Sequence, residues 1–137
     1  MSPDEVLSVA GQDAPYFRTP EFSDVVLRCE RAMLDLLHAP DGSRCVFLTA
    51  SGTGAMEAVV MDVLRPGEHV AVVNGGSFGQ RFVDLCRLHG HEVDEVRLDF
   101  GNQITREMLE SCVGDAVTAL LVNMHETSSG LLCDMPL

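Results

Sequence analysis

Three short stretches hold residues whose types and spacing could do chemistry: Ser51-Gly52-Thr53-Gly54, Asn74-Gly75-Gly76-Ser77-Phe78 and His125-Glu126-Thr127-Ser128-Ser129-Gly130. Each combines glycine with hydroxyl groups, and each follows an apolar run. Glycines let backbone approach a ligand closely, and hydroxyls and the free N–H groups of a helix start are donors for an anion. At the first stretch Ser51 and Thr53 could give hydrogen bonds to a phosphate, or Ser51 could simply cap the following helix. Spacing alone leaves those two roles open. At the second, Phe78, Phe82 and Leu85 fall at i, i+4 and i+7, the spacing of a core-facing stripe. Phe78 could instead offer its flat face to a planar ligand. At the third, His125 and Glu126 read as a satisfied loop pair and receive no role.

Other motifs fail on residue type or spacing. A Walker loop needs Gly-Lys-Ser/Thr, and the chain contains no lysine; all nine of its basic residues are arginine. After Gly52 and Gly54, Glu57 occupies the place where a dinucleotide fingerprint needs a third glycine. Thr49 stands where a nucleophile elbow needs glycine before Ser51. No second histidine follows His125 at i+4, which excludes an HExxH zinc site, and no metal site is expected. His38, His69, His89 and His91 read as surface positions near turns. Cys29, Cys45, Cys86, Cys112 and Cys133 are widely spaced in apolar surroundings without a CxxC pair, and they read as buried free thiols of a reducing compartment.

These stretches must be positioned by a folded frame, and 137 residues suffice for one domain with a real core. The net charge of −12 argues against nucleic acid and against anionic membranes, so an anionic ligand would need local donors. No apolar run approaches the length of a membrane span, and no signal peptide is evident, so the cytoplasm is the expected location. Residues 1–20, with three prolines, read as an irregular arm. Residues 22–37 have helical spacing with Ser23 as N-cap, and apolar Phe22, Val25, Val26, Cys29, Met33, Leu36 and Leu37 form the stripe. From residue 45 onward the pattern alternates: strand 45–50, helix 53–64, strand 69–75, helix 77–89, strand 91–100, helix 105–112 capped by Thr105, and strand 116–126. Such alternation predicts an α/β fold, a three-layer αβα sandwich with a mainly parallel sheet, whose ligands bind beyond the carboxyl ends of the strands. All three stretches fall at that end. The chain stops just after its last strand, which suggests a piece of a longer protein.

The runs SGTGAMEA, PGEHVAVVNGGSFGQR and HETSSG, in that order and spacing, resemble the class V aminotransferases of fold type I, within them the alanine–glyoxylate, serine–pyruvate and 2-aminoethylphosphonate group. The resemblance spans residues 16–137 and is more specific for the family than for the substrate. It implies pyridoxal 5′-phosphate as cofactor. It places Ser51, Gly52 and Thr53 at the phosphate, Phe78 stacked on the pyridine ring, and the Thr127 hydroxyl near the ring substituents. It implies amino transfer between an amino acid or aminophosphonate and a 2-oxo acid, in a homodimer.

The departures are equally specific. Family members hold the cofactor through a lysine Schiff base and pair an aspartate with the pyridine nitrogen, both beyond the HETSSG motif. This chain has no lysine, Asp134 lies too close to that motif to be the aspartate, and Phe17 stands where relatives often carry histidine before Arg18. No catalytic residue is therefore assigned within the chain. The expected organisation is an arm over 1–20 and part of a cofactor-binding large domain over 21–137, inactive by itself. The competing readings are another fold type I enzyme, such as a cysteine desulfurase or a lyase, and a non-enzymatic remnant acting as an interaction domain.

Overall fold

The computed structural model describes residues 4–13 and 15–135, which fall into two compact units, Met1–Leu48 and Thr49–Leu137. In the first unit a short helix α1 (Asp4–Ala10) occupies part of the stretch expected to be irregular. Helix α2 (Pro20–Leu36) begins earlier than its apolar spacing suggests. Its N-cap is Thr19, not Ser23: the Thr19 hydroxyl accepts from the Phe22 N–H at 3.2 Å, and Pro20 takes the first helical position. The sequence Thr-Pro-Glu supports this start, because proline has no N–H to leave unpaired there and its φ suits a helix. Ser23 sits in the first turn and donates back to the Thr19 carbonyl at 3.1 Å. Thr19→Ala is expected to cost about 1 kcal/mol of α2 stability and Ser23→Ala less than about 0.5 kcal/mol. Hydrogen exchange at the α2 amides checks this ordering.

The apolar stripe expected to bury α2 is largely exposed within this chain: Val25 and Val26 are 40% exposed and Leu36 70%. The buried residue of α2 is Glu30, which accepts from Arg44 Nε at 2.6 Å and from the Cys45 backbone N–H at 3.1 Å. The Arg44 guanidinium and that N–H hold the Glu30 carboxyl below the usual carboxylate range. Residues 45–50, expected as a strand, are not one. A strand is defined by a hydrogen-bonded neighbour, and among the described residues Val46, Phe47 and Leu48 have none and stay exposed.

The second unit holds the expected alternation. It runs α3 (Gly52–Val63), β1 (His69–Asn74), α4 (Ser77–Leu88), β2 (Glu92–Arg97), α5 (Arg106–Cys112) and β3 (Val117–Val122). The stretch expected as one last strand divides, so that β4 (His125–Glu126) leaves the sheet and pairs antiparallel with β5 (Leu131–Leu132). The main sheet has the order β2-β1-β3, and both pairings are parallel. β1 is central and nearly continuous in burial, as a strand covered on both faces must be. Val70 and Val72 point to one face and pack with Val60, Leu64, Val83, Leu85 and Cys86, from α3 and α4. Val73 points to the other face and packs with Val96, Leu98, Ile104, Leu131 and Cys133, against which Met108 and Leu109 of α5 lie. The unit is therefore an αβα sandwich, with α3 and α4 on one side of the sheet and α5 with the β4–β5 hairpin on the other.

From β1 the chain passes through α4 to β2 on one side, then through α5 to β3 on the opposite side. The carboxyl end of β1, at Asn74-Gly75-Gly76, is thus where the connections diverge, the position at which open α/β sheets bind ligands.

Candidate cofactor site

Helix α3 begins at the first stretch. Ser51 is its N-cap, with an extended backbone, and its Oγ accepts from the Gly54 N–H at 3.2 Å. Thr53 Oγ1 accepts from Arg81 Nη1 at 2.6 Å. Both hydroxyls thus use an oxygen lone pair within the chain, and among the described residues neither O–H has an acceptor. The backbone N–H groups of Gly52 and Thr53 also have no acceptor, as the first N–H groups of a helix lack intrahelical partners. The first turn of α3 therefore presents two hydroxyl and two backbone donors, with no carboxylate among them.

Helix α4 starts differently. Gly76 is its N-cap and offers no side-chain acceptor. The acceptor comes from the third stretch, where Glu126, 2% exposed, turns its carboxylate onto the helix start. Oε2 accepts from the Phe78 N–H at 3.1 Å and from the Gly79 N–H at 3.0 Å. Oε1 accepts from the Ser128 N–H at 3.2 Å and from Ser128 Oγ at 2.6 Å, and Ser128 Oγ in turn accepts from the Ser77 N–H at 3.0 Å. Burial raises the Glu126 pKa, but the hydrogen bonds from Ser128, Gly79 and Phe78 outweigh it and hold the carboxyl below the usual range. Gly76 is required by this contact: a Cβ there would lie 2.2 Å from Ser128 Oγ and 2.8 Å from Glu126 Cδ.

Of the expected site residues, Ser51, Gly52 and Thr53 lie together at α3. Phe78 lies in the first turn of α4, half-buried, and Thr127 lies in the turn after β4 with its side chain exposed. Among the described residues the Thr127 hydroxyl makes no hydrogen bond. The stripe of Phe78, Phe82 and Leu85 separates: Leu85 belongs to the core and Phe82 packs against it, whereas Phe78 joins neither buried cluster. Its ring instead meets the Arg81 guanidinium, whose central carbon lies 5.3 Å from the ring centroid. One arginine thus spans from Thr53 to Phe78 and links the first two stretches, while Glu126 and Ser128 link the second and third.

Sequence reading missed Arg81, Glu126 and Ser128. A signal for Glu126 did exist: α4 starts at Gly75-Gly76, which cannot cap it, so an acceptor had to come from elsewhere. A cleft of about 400 Å³ opens at the same end of the sheet, beyond β1 and β2, lined by Asn74, Gly76, Gln80, Arg97, Leu98 and Phe100 among others. It shares Asn74, Gly75, Gly76 and Ser77 with the second stretch, while Ser51, Thr53, Phe78 and Thr127 lie outside it. Of its lining residues, Asn74 donates from Nδ2 to Gln80 Oε1 at 2.9 Å and also to Glu95 Oε1 at 2.7 Å.

The histidines and cysteines depart in part from expectation. His91 is buried, not on the surface. Cys86 and Cys133 are buried, Cys45 and Cys112 half-buried and Cys29 exposed, all as free thiols. Burial pushes the Cys86 thiol up, and burial with the Glu126 charge does the same for Cys133, so neither is an activated nucleophile. Among the described residues no cluster of histidine, cysteine and acidic side chains could hold a metal ion.

The profile of the family described as "Aminotransferase class-V" matches residues 11–137. A soluble hydrogenase 42 kDa subunit of Anabaena cylindrica is 30% identical over 86% of this chain and 31% of its own length. An L-aspartate–glyoxylate aminotransferase of Paracoccus denitrificans is 30% identical over 66% of this chain and 24% of its own length. Among solved structures, an aspartate aminotransferase of subgroup IV from Thermus thermophilus superimposes with a TM-score of 0.82 at 28% identity, covering 99% of this chain and 37% of that one. The chain thus spans about a third of the length of the curated relatives it matches.

Proposed function

From the premise that this chain belongs to the class V aminotransferases, enzymes that use pyridoxal 5′-phosphate, we propose that it forms the phosphate and ring-stacking part of the cofactor site of such an enzyme. The whole protein would transfer an amino group between an amino acid or aminophosphonate and a 2-oxo acid. The observation that carries the reading is the donor set at α3: two N–H groups and two hydroxyls without acceptors, in a chain whose net charge of −12 otherwise repels anions. A phosphate dianion would offer acceptor oxygens to these donors, aided by the helix dipole.

When bound, the cofactor supplies an electron sink for bond cleavage at the α-carbon of the amino acid. The residues of this chain bind and orient it. Ser51, Gly52 and Thr53 hold the phosphate. Arg81, by donating to Thr53 Oγ1, turns the threonine O–H outward as a donor and adds positive charge beside the phosphate. Phe78 would offer its ring face to the pyridine ring, and the Thr127 hydroxyl would serve the ring substituents. With no lysine in the chain, the group that bonds the cofactor covalently would come from outside these residues.

The amino form of the cofactor, pyridoxamine 5′-phosphate, tests the cradle without aldehyde chemistry. Replacing Ser51 and Thr53 together by alanine is expected to weaken its binding by roughly 2–5 kcal/mol, the loss of two charge-assisted hydrogen bonds. Titration calorimetry reads the affinity, and equal affinity of variant and wild type would sink the cradle.

The remaining readings rest on the family resemblance: residues 21–137 as part of the large domain, residues 1–20 as an arm, a homodimer, and a cytoplasmic location. Among the described residues no helix is long and apolar enough to cross a membrane. Exposed apolar side chains on α3, Val59, Met61 and Val63, are consistent with a covered face in the whole protein. Sedimentation of the whole protein measures the dimer.

A further inference from the structure

The two helix starts at this end of the sheet are opposite in character. The first turn of α3 holds donors without acceptors, whereas the first turn of α4 is filled by a carboxylate from its own chain. They are neighbours, since the Arg81 side chain reaches Thr53 on one and Phe78 on the other. A free helix start attracts anions; a start whose N–H groups already hold a buried carboxylate repels a second one by charge and has no donor left for it.

We propose that Glu126 is a positioning residue that gives the site its polarity: by occupying the start of α4 it refuses that end to an anionic group, so a phosphorylated ligand seats its phosphate at α3 and its ring beside Phe78. The inference rests on the cofactor reading above and deepens it. The same carboxylate fixes the ring partner, because its bonds to the Phe78 and Gly79 N–H groups set where α4 begins. Its bond to Ser128 anchors the turn that carries Thr127. Gly76 completes the device, since any side chain there would push Glu126 and Ser128 away. Leaving α4 with an ordinary side-chain cap would have satisfied its N–H groups without adding a charge. The full negative charge, held ionised by its hydrogen bonds, is what sorts one end of the ligand from the other.

The test is amide resonance mapping on the isotope-labelled whole chain with two probes, inorganic phosphate and pyridoxamine 5′-phosphate. In the wild type both probes should shift the Gly52 and Thr53 amides saturably, and inorganic phosphate should leave the Ser77, Phe78 and Gly79 amides unshifted. In Glu126→Ala, which removes the carboxylate and leaves the Phe78 and Gly79 N–H groups without an acceptor, inorganic phosphate should gain a second saturable response at Phe78 and Gly79. A merely structural role for Glu126 would lower the melting temperature without creating a new phosphate response. A saturable response to inorganic phosphate at Phe78 and Gly79 in the wild type overturns the proposal whether or not the variant folds. So does a folded variant that responds only at Gly52 and Thr53, and that outcome leaves the cofactor reading intact. A wild type that responds at neither helix start overturns the cofactor reading and the polarity with it.

Discussion

Glu126→Ala is expected to be among the most destabilising single substitutions in the second unit, lowering its unfolding free energy by about 3–5 kcal/mol. Glu126 is 2% exposed and its carboxylate accepts from Phe78, Gly79 and Ser128, so its removal strands the buried Gly79 donor and two part-buried ones at once. A buried donor left unsatisfied costs about 1–3 kcal/mol, and a lost buried methylene pair adds to that through the cavity. Better helix propensity gives no relief, because Glu126 lies on a strand. The opposite result was open to a different geometry: had Glu126 lain at the surface, alanine would have changed stability by no more than about 0.5 kcal/mol. Urea unfolding of the whole chain, followed at the amides of α4, measures it. The pH dependence has a definite sign. The folded carboxyl titrates below its unfolded value, so its contribution is fully present above the unfolded pKa and is lost as pH falls through the folded one. Stability of α4 should therefore be flat with respect to this group near neutrality and decline in acid, and Glu126→Ala should remove that part of the decline.

Gly79→Ala should destabilise the same unit by about 2–3 kcal/mol, although it places the best helix former inside a helix. A Cβ at Gly79 would sit 2.7 Å from Asn74 Cα and 2.8 Å from the Val73 carbonyl oxygen. Both are backbone atoms of the central strand and cannot rotate aside. The alanine gains about 1 kcal/mol in helix propensity. Pushing α4 off β1 disturbs the shared core of Val70, Val72, Val83 and Cys86, and overpacking of this kind costs about 1–3 kcal/mol before the Glu126 bonds are counted. Sterics win. The Gly79 N–H also bonds Glu126, so the substitution should expose the Phe78 and Gly79 amides to faster exchange than those later in α4. Gly52→Ala provides the contrast: a Cβ there meets nothing within 4 Å, so the site should keep its fold.

Much of the second unit was legible because its signals are local. β1 reads as a strand from a continuous apolar run, α5 from the Thr105 cap, and α4 from the helical spacing of Phe78, Phe82 and Leu85. The alternation of these elements suffices to set a parallel αβα sandwich, since parallel strands need crossovers and crossovers cover both faces. Residues 45–50 failed for the converse reason. Apolar composition marks a segment able to pair, but pairing depends on a neighbour that the segment does not encode. Likewise the stripe on α2 marks a face to be covered and not what covers it.

The sequence by itself determined the family, the absence of lysine and the three stretches that meet at one end of the sheet, because these depend on residue identity and order alone. Only the tertiary structure decided how those stretches are joined. Arg81 and Thr53 are 28 residues apart, and Glu126 and Gly79 are 47 apart. Contacts at such separations leave no periodicity in the chain. The direction of a hydroxyl proton, and the choice of which helix start carries a charge, follow from which distant atom occupies the remaining lone pair or N–H. That is a property of folded geometry, and it turns three similar glycine-rich turns into one donor end, one carboxylate-filled end and the arginine between them.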